Sequence, residues 1–293
     1  MAGRSHTIPL LYRLARPKNA VPPLLAVLLG YTAAGGQTFS ETTLLTSLFG
    51  VLCLNFAATL QNDLADKTID ASAKRRTPLL DGQVANEQVH LVGVGLSMLS
   101  LAVPALFGQT VVFVSLLVYL ILCWFYNQPP IQASRRPISS IALLALLFHT
   151  LPLLLGVYAA GGEGDYVVLA ALAIGGFVQR FALSILKDYK DYEADWQHNK
   201  RTFLVAFGAL TTNRVSLLAS AFGYASILTA LIIAPVPVWA VIILAPIAIY
   251  STSLRRSLRT EQKSFPRNNK LFHLALDVNN LFDAGVILCF YTW

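Results

Sequence analysis

Nine mostly apolar stretches, most of them long enough to cross a bilayer as a helix, constrain this chain more than any other feature. They lie near residues 20–36, 41–61, 88–107, 109–127, 138–160, 166–186, 208–233, 236–254 and 271–292. A crossing helix needs about 20 predominantly apolar residues. The stretch from Thr42 to Thr59, TTLLTSLFGVLCLNFAAT, carries no charge at all. In lipid the backbone must satisfy its own hydrogen bonds, so runs like these are helices. The expected fold class is therefore all-α, a polytopic membrane protein of nine transmembrane helices. Composition agrees. The 293 residues are 55% hydrophobic and 13% charged, against about 25% charged in a soluble domain. Mean hydropathy is +0.59. Cys53, Cys123 and Cys289 stand apart in apolar runs and read as small buried hydrophobes.

The charges alternate with the spans. The 22 Lys and Arg residues fall in the leader and in the connections after spans two, four, six and eight, except for Arg180 inside span six and Arg214 close behind the loop after it. The connections after spans one, three, five and seven carry none. The positive-inside rule then places the N-terminus and the even-numbered loops in the cytoplasm, and the C-terminus across the membrane. The expected location is a bacterial-type cytoplasmic membrane. The net charge of +7 is explained by topology, which leaves little ground for a nucleic-acid partner. No obligatory protein partner is evident.

Two acidic stripes break this pattern. Asn62, Asp66 and Asp70 follow one another at four-residue spacing where span two ends. Such residues share a helix face. Asp63 sits one position off that stripe. Lys187, Asp191 and Asp195 repeat the spacing where span six ends, with Asp188 three residues before Asp191. Carboxylates four apart on one helix repel each other, and poorer screening near a bilayer raises the cost. Mg²⁺ is the natural compensation. It takes hard oxygen ligands and usually binds through one or two carboxylates plus a substrate phosphate. Asn62, Asp66, Asp70, Asp188, Asp191 and Asp195 are the expected ligands. Lys74, Arg76, Lys187 and Arg201 stand near enough in sequence to neutralise the remaining phosphate oxygens.

These residues resemble the motifs of the UbiA superfamily of intramembrane prenyltransferases. The run from Asn62 to Asp70, NDLADKTID, is similar to the family's NDxxDxxxD, and KDYKDYEAD resembles its KDxxDxxxD variant. RRTPLLDGQV, YNQPPIQASRRP and the leader RLARPKN resemble further family segments. The resemblance spans nearly the whole chain and implies one domain over residues 1–293, with its helices bundled around a central lipophilic cavity capped by cytoplasmic loops. It implies that an isoprenyl diphosphate binds with its head on Mg²⁺ and its tail among the helices, and that a lipophilic, often aromatic, acceptor captures the allylic cation. Membrane lipid surrounds both substrates. Asp66, Asp191 and Tyr126 are the expected catalytic residues. A Tyr-x-x-x-Lys motif found in many members is missing, because Pro130 stands where its Lys would be.

Other polar residues leave alternatives open. Arg180 either lines the cavity or pairs with an acid. Asp277, Asn280 and Asp283 either receive Arg180, position an acceptor, or form a polar seam between helices. His149 is a packing residue or a base. A terpene cyclase of the same superfamily would show the same aspartates. A transporter with carboxylate-bound cations would place its site nearer the midplane, on broken helices.

Overall fold

The structure, a computed structural model, describes residues 7–38, 41–72, 76–234 and 236–292. Every regular element among them is helical. The helices are α1 (Thr7–Ala15), α2 (Val21–Ala33), α3 (Thr42–Ala65), α4 (Lys67–Ser72), α5 (Asn86–Leu106), α6 (Thr110–Asn127), α7 (Pro137–Ala145), α8 (Leu151–Ala159), α9 (Tyr166–Ser184), α10 (Tyr192–Gln197), α11 (Phe203–Ile233), α12 (Val238–Arg256) and α13 (Phe265–Tyr291). A π turn at Leu146–Thr150 joins α7 to α8, so that Pro137–Ala159 acts as one span.

Eight helical segments among the described residues are long and apolar enough to cross a membrane, not nine. The difference lies in the expected first span. Pro22 and Pro23 fit the first turn of α2, where their missing N–H groups cost nothing. The helix then ends after 13 residues, about 20 Å at 1.5 Å per residue. It is nevertheless central. Val21 and Pro22 line the main cavity, and Gly35–Gln37 beyond its other end lie beside Asp165, Val236 and Phe290. Val27, Leu29 and Tyr31 are fully buried. Glycine lets α2 sit directly on α8. A Cβ at Gly30 would stand 2.0 Å from the Leu153 carbonyl oxygen, and one at Gly156 1.9 Å from that of Val27. Close backbone approach of this kind is how helices associate without a hydrophobic driving force.

Around the cavity stand α2, α3, α6, the α7–α8 span, α9 and α13, while α5, α11 and α12 pack outside them. The outer helices keep large apolar side chains exposed, among them Leu91, Met98, Leu218 and Ile242, as a lipid-facing surface requires. The three cysteines are free and buried. His149 proves to be a packing residue. It is buried in the π turn, its Nε2 lies 3.2 Å from the Leu172 carbonyl oxygen, and its ring fills the space that a side chain at Gly176 would need. It does not line the cavity.

Candidate active site

Both acidic motifs form where a long helix breaks and restarts. α3 ends at Ala65, Asp66 leaves helical geometry (φ −96°, ψ 7°), and the six-residue α4 follows. α9 tightens into a 3-10 turn at Leu186–Lys190, Asp191 breaks it (φ −113°, ψ 2°), and the six-residue α10 follows. The stripes are thus not faces of single straight helices, as their spacing suggests. Hydrogen bonds carry the alignment across the first break, from Asp66 N to Asn62 O and from Asp70 N to Asp66 O, each 2.9 Å. At the second break the bond from Asp191 N reaches only three residues back, to Asp188 O.

The two breaks bring Asn62, Asp66, Asp70, Asp188, Asp191 and Asp195 to one end of a single cavity of about 1110 Å³. Tyr126, Lys187 and Arg180 line it too. Asp63 turns away and binds Arg16 of the leader at 2.6 Å, which fastens the chain before α2 onto α3. Deeper in, the walls become largely apolar, with Leu144, Leu147, Phe148, Leu183 and Leu276.

Of the basic residues expected at the motifs, two are not among those lining the cavity and a third is not described. Lys74 lies outside the described residues. Arg76 and Arg201 are exposed and lie away from the lining. Lys200, a cation outside the expected set, reaches both motifs from the second loop. Its Nζ donates to Asp66 Oδ2 at 2.9 Å and stands 3.8 Å from Asp195 Oδ1, so one charge joins the two motifs. Local geometry explains the choice. Asn199 adopts the left-handed conformation (φ 52°) just after α10. Asn199 N bonds to Trp196 O and Lys200 N to Asp195 O, which is a Schellman close with asparagine in the left-handed position. The turn places Lys200 beside Asp195 and leaves Arg201 outside. No periodicity in the sequence separates these two neighbours. Arg13, Arg16 and Lys18 of the leader also line the mouth. Their only sequence signal is the resemblance of RLARPKN.

Pro130 stands where the expected lysine would be, and the lysine that meets Tyr126 is Lys187. It comes from the 3-10 turn after α9 and donates to the Tyr126 hydroxyl at 2.7 Å, with its Nζ 5.4 Å from the ring centroid. A lysine on a different helix therefore holds this tyrosine.

Two groups outside the spans have displaced pKa values. Burial raises Asp195 to about 7, against the opposing pull of Lys200. Lys200 is itself displaced upward. Burial works against its charge, but Asp66 and Asp195 outweigh that effect.

At the far end of the cavity Arg180 both lines the wall and pairs with an acid. Its Nη2 lies 2.5 Å from Asp283 Oδ2, and both terminal nitrogens are 3.4 Å from Asn280 Oδ1. Asn279 donates to Asp283 at 3.1 Å, and the Tyr224 hydroxyl lies 3.1 Å from Asn279 Oδ1 and 2.8 Å from Ser251 Oγ. Asp283 therefore belongs to a buried seam, while Asp277 and Asn280 face the cavity.

Among the described residues no three acidic or histidine side chains converge closely enough to hold an ion by themselves. The donor set still fits magnesium. All six expected ligands offer hard oxygens, and a cation already bridges one carboxylate from each motif. Mg²⁺ usually takes one or two carboxylates and completes its shell with water and substrate phosphate.

Fold and site define a polytopic membrane enzyme with paired aspartate motifs at one end of a lipophilic cavity. The chain belongs to the UbiA prenyltransferase family, whose model matches residues 23–276. It is 27% identical to the bacteriochlorophyll synthase 33 kDa chain of Cereibacter sphaeroides, over 88% of this chain and 86% of that one. It is 26% identical to the digeranylgeranylglyceryl phosphate synthase of Methanoculleus marisnigri, over 68% and 69%. The fold resembles a UbiA homolog from Archaeoglobus fulgidus bound to GPP and Mg²⁺, with a TM-score of 0.70 at 19% identity over 97% of this chain and 99% of that one. It also resembles the apo structure of a UbiA homolog from Aeropyrum pernix K1, with a TM-score of 0.73 at 18% identity over 93% and 98%.

Proposed function

We propose that this prenyltransferase moves an isoprenyl group from an isoprenyl diphosphate to a lipophilic acceptor, with Mg²⁺ held by Asn62, Asp66, Asp70, Asp188, Asp191 and Asp195. The observation that carries this reading is the sharing of one cavity by both motifs, with cations between them and apolar walls beneath. Bound divalent ions supply Lewis acidity to the departing diphosphate. The chain's own residues do the rest. Asp66 and Asp191, at the two helix breaks, orient the diphosphate end. Lys187 and Lys200 neutralise its oxygens. The allylic C–O bond breaks, and its electron pair leaves with the diphosphate. Tyr126, fixed by Lys187, presents a ring whose face favours the cation. The acceptor forms the new bond at the allylic carbon and gives up a proton. Leucines and Phe148 exclude water that would otherwise trap the cation.

The whole chain, 1–293, serves this chemistry as one domain. The motif-bearing end faces the cytoplasm, as the distribution of Lys and Arg argues. The names of the relatives point to two acceptor types, one leading to a bacteriochlorophyll and one to digeranylgeranylglyceryl phosphate. The test is an incubation of purified protein in lipid with geranylgeranyl diphosphate, Mg²⁺ and each acceptor type. A prenylated acceptor is the expected product. A cyclic hydrocarbon formed without acceptor would mark a terpene cyclase instead.

A further inference from the structure

We infer that Lys200 is a resident counter-cation of the metal-free site, which leaves the two motifs when a divalent ion takes their carboxylates and turns onto the diphosphate oxygens. The inference rests on the reading of the motifs as a metal site. Three observations carry it. First, the ion pairs of Lys200 join the two motifs, at 2.9 Å from Asp66 and 3.8 Å from Asp195. The neighbouring lysines make other contacts. Lys187 is held by Tyr126, and Lys190 is 41% exposed and reaches Asp191 only at 3.9 Å. Second, both carboxylates are expected metal ligands, so an ammonium and a divalent ion cannot hold them together without strong repulsion. Third, the backbone of Lys200 is pinned, while its side chain contacts the two carboxylates that a divalent ion would take. The bonds after α10 fix its N–H on Asp195 O, and four flexible carbons carry a compact charge with three donors. An arginine fork would suit such an exchange less well.

The arrangement has a direct consequence. Without diphosphate, an incoming ion must draw Asp66 and Asp195 away from Lys200 with no anion brought in to replace them. With diphosphate, that ammonium gains phosphate oxygens. Metal and diphosphate should therefore bind synergistically, and metal alone should bind poorly. Lys200 also keeps the aspartates from repelling one another before substrate arrives.

The test uses the full chain in lipid nanodiscs, with Mn²⁺ binding followed by titration calorimetry in the absence and presence of inorganic pyrophosphate. Lys200→Met should bind Mn²⁺ alone at least about tenfold more tightly than wild type, a gain on the scale of one removed competing charge. The same variant should bind pyrophosphate with Mn²⁺ about tenfold more weakly. Its metal-free melting temperature should fall. Lys200→Arg keeps the charge and should stay near wild type for Mn²⁺ alone. Lys200→Gln supplies the same reading where the methionine variant does not fold. Mn²⁺ binding that is unchanged or weakened in the uncharged variants overturns the inference and leaves the metal site standing. Absence of Mn²⁺ binding in every variant, with or without pyrophosphate, overturns the metal reading and this inference with it.

Discussion

The two aspartate motifs share a local plan but not a foundation. Each sits at a break between a long helix and a six-residue one. The first is tied from outside, where Arg16 of the leader grips the buried Asp63. The second is built on core. Tyr189 packs edge-on against Phe265 at 4.9 Å and its hydroxyl binds Asn213. Asp188 and Asp195 are almost fully buried, as Asp63, Asp66 and Asp70 are in the first motif. Among the described residues, Lys200 to Asp66 and His198 Nε2 to Ser72 Oγ at 2.9 Å join the two motifs. Similar ligand geometry can thus be reached by a strap or by packing, and the two should fail differently.

The largest expected effect is catalytic and common to both motifs. Asp66→Asn and Asp191→Asn should each lower turnover at least about a hundredfold, the scale of one well-placed electrostatic group in a dry site. Circular dichroism should show both variants folded. The double variant should lose little more than the worse single one, because both residues act on one leaving group. A large loss for only one of them would break the equivalence.

Stability should separate the motifs next. Tyr189→Leu removes the edge contact and leaves a buried Asn213 without its hydroxyl partner, at a cost of about 1–3 kcal/mol. The loss should spread to α11 and α13 in hydrogen exchange. Arg16→Ala should cost a similar or smaller amount, since the arginine is a third exposed, and its exchange signature should stay with the leader and the α3–α4 break. Equal spreading in both variants would contradict the strap.

The pH response should belong to the second motif. Asp195 titrates near 7 in the folded chain and near the ordinary carboxylate value, about 3.9, when unfolded. Between these values the folded state binds the extra proton, so metal-free stability falls as pH rises from about 4 to 7. Lys200, displaced upward from an already high value, does not titrate in that window. Melting curves of Asp195→Asn should show a flatter pH slope.

The smallest effect tests the turn that aims Lys200. Asn199→Gly should shift stability by only a few tenths of a kcal/mol, whereas Asn199→Val should cost about 1–2 kcal/mol, because a β-branched residue resists the left-handed region. Thermal melting of the metal-free protein distinguishes them.

What the sequence made legible was whatever depends on composition and period. Long apolar runs mark the spans. Four-residue spacing brings Asn62, Asp66 and Asp70 toward one side and does the same for Lys187, Asp191 and Asp195. What stayed hidden depends on single backbone angles and on contacts between distant segments. The same spacing fits one straight helix or two short ones, so the breaks at Asp66 and Asp191 were invisible. The choice of Lys200 over Arg201 turns on the φ of Asn199. The link from Lys187 to Tyr126 crosses 61 positions, and no local pattern announces it. The first span reads as ordinary apolar sequence, yet it forms a 13-residue helix, and its close packing on α8 is decided by two glycines.

The account stands most directly on the dependence of diphosphate binding on both motifs and on metal. Binding of geranyl diphosphate to the protein in nanodiscs should be measured by titration calorimetry, with Mg²⁺ and with excess EDTA, for wild type, Asp66→Asn and Asp191→Asn. Wild type should bind with Mg²⁺ and lose most of its affinity in EDTA, and each variant should bind far more weakly with Mg²⁺ present. Binding that survives EDTA unchanged, or variants that bind as wild type does, would contradict it.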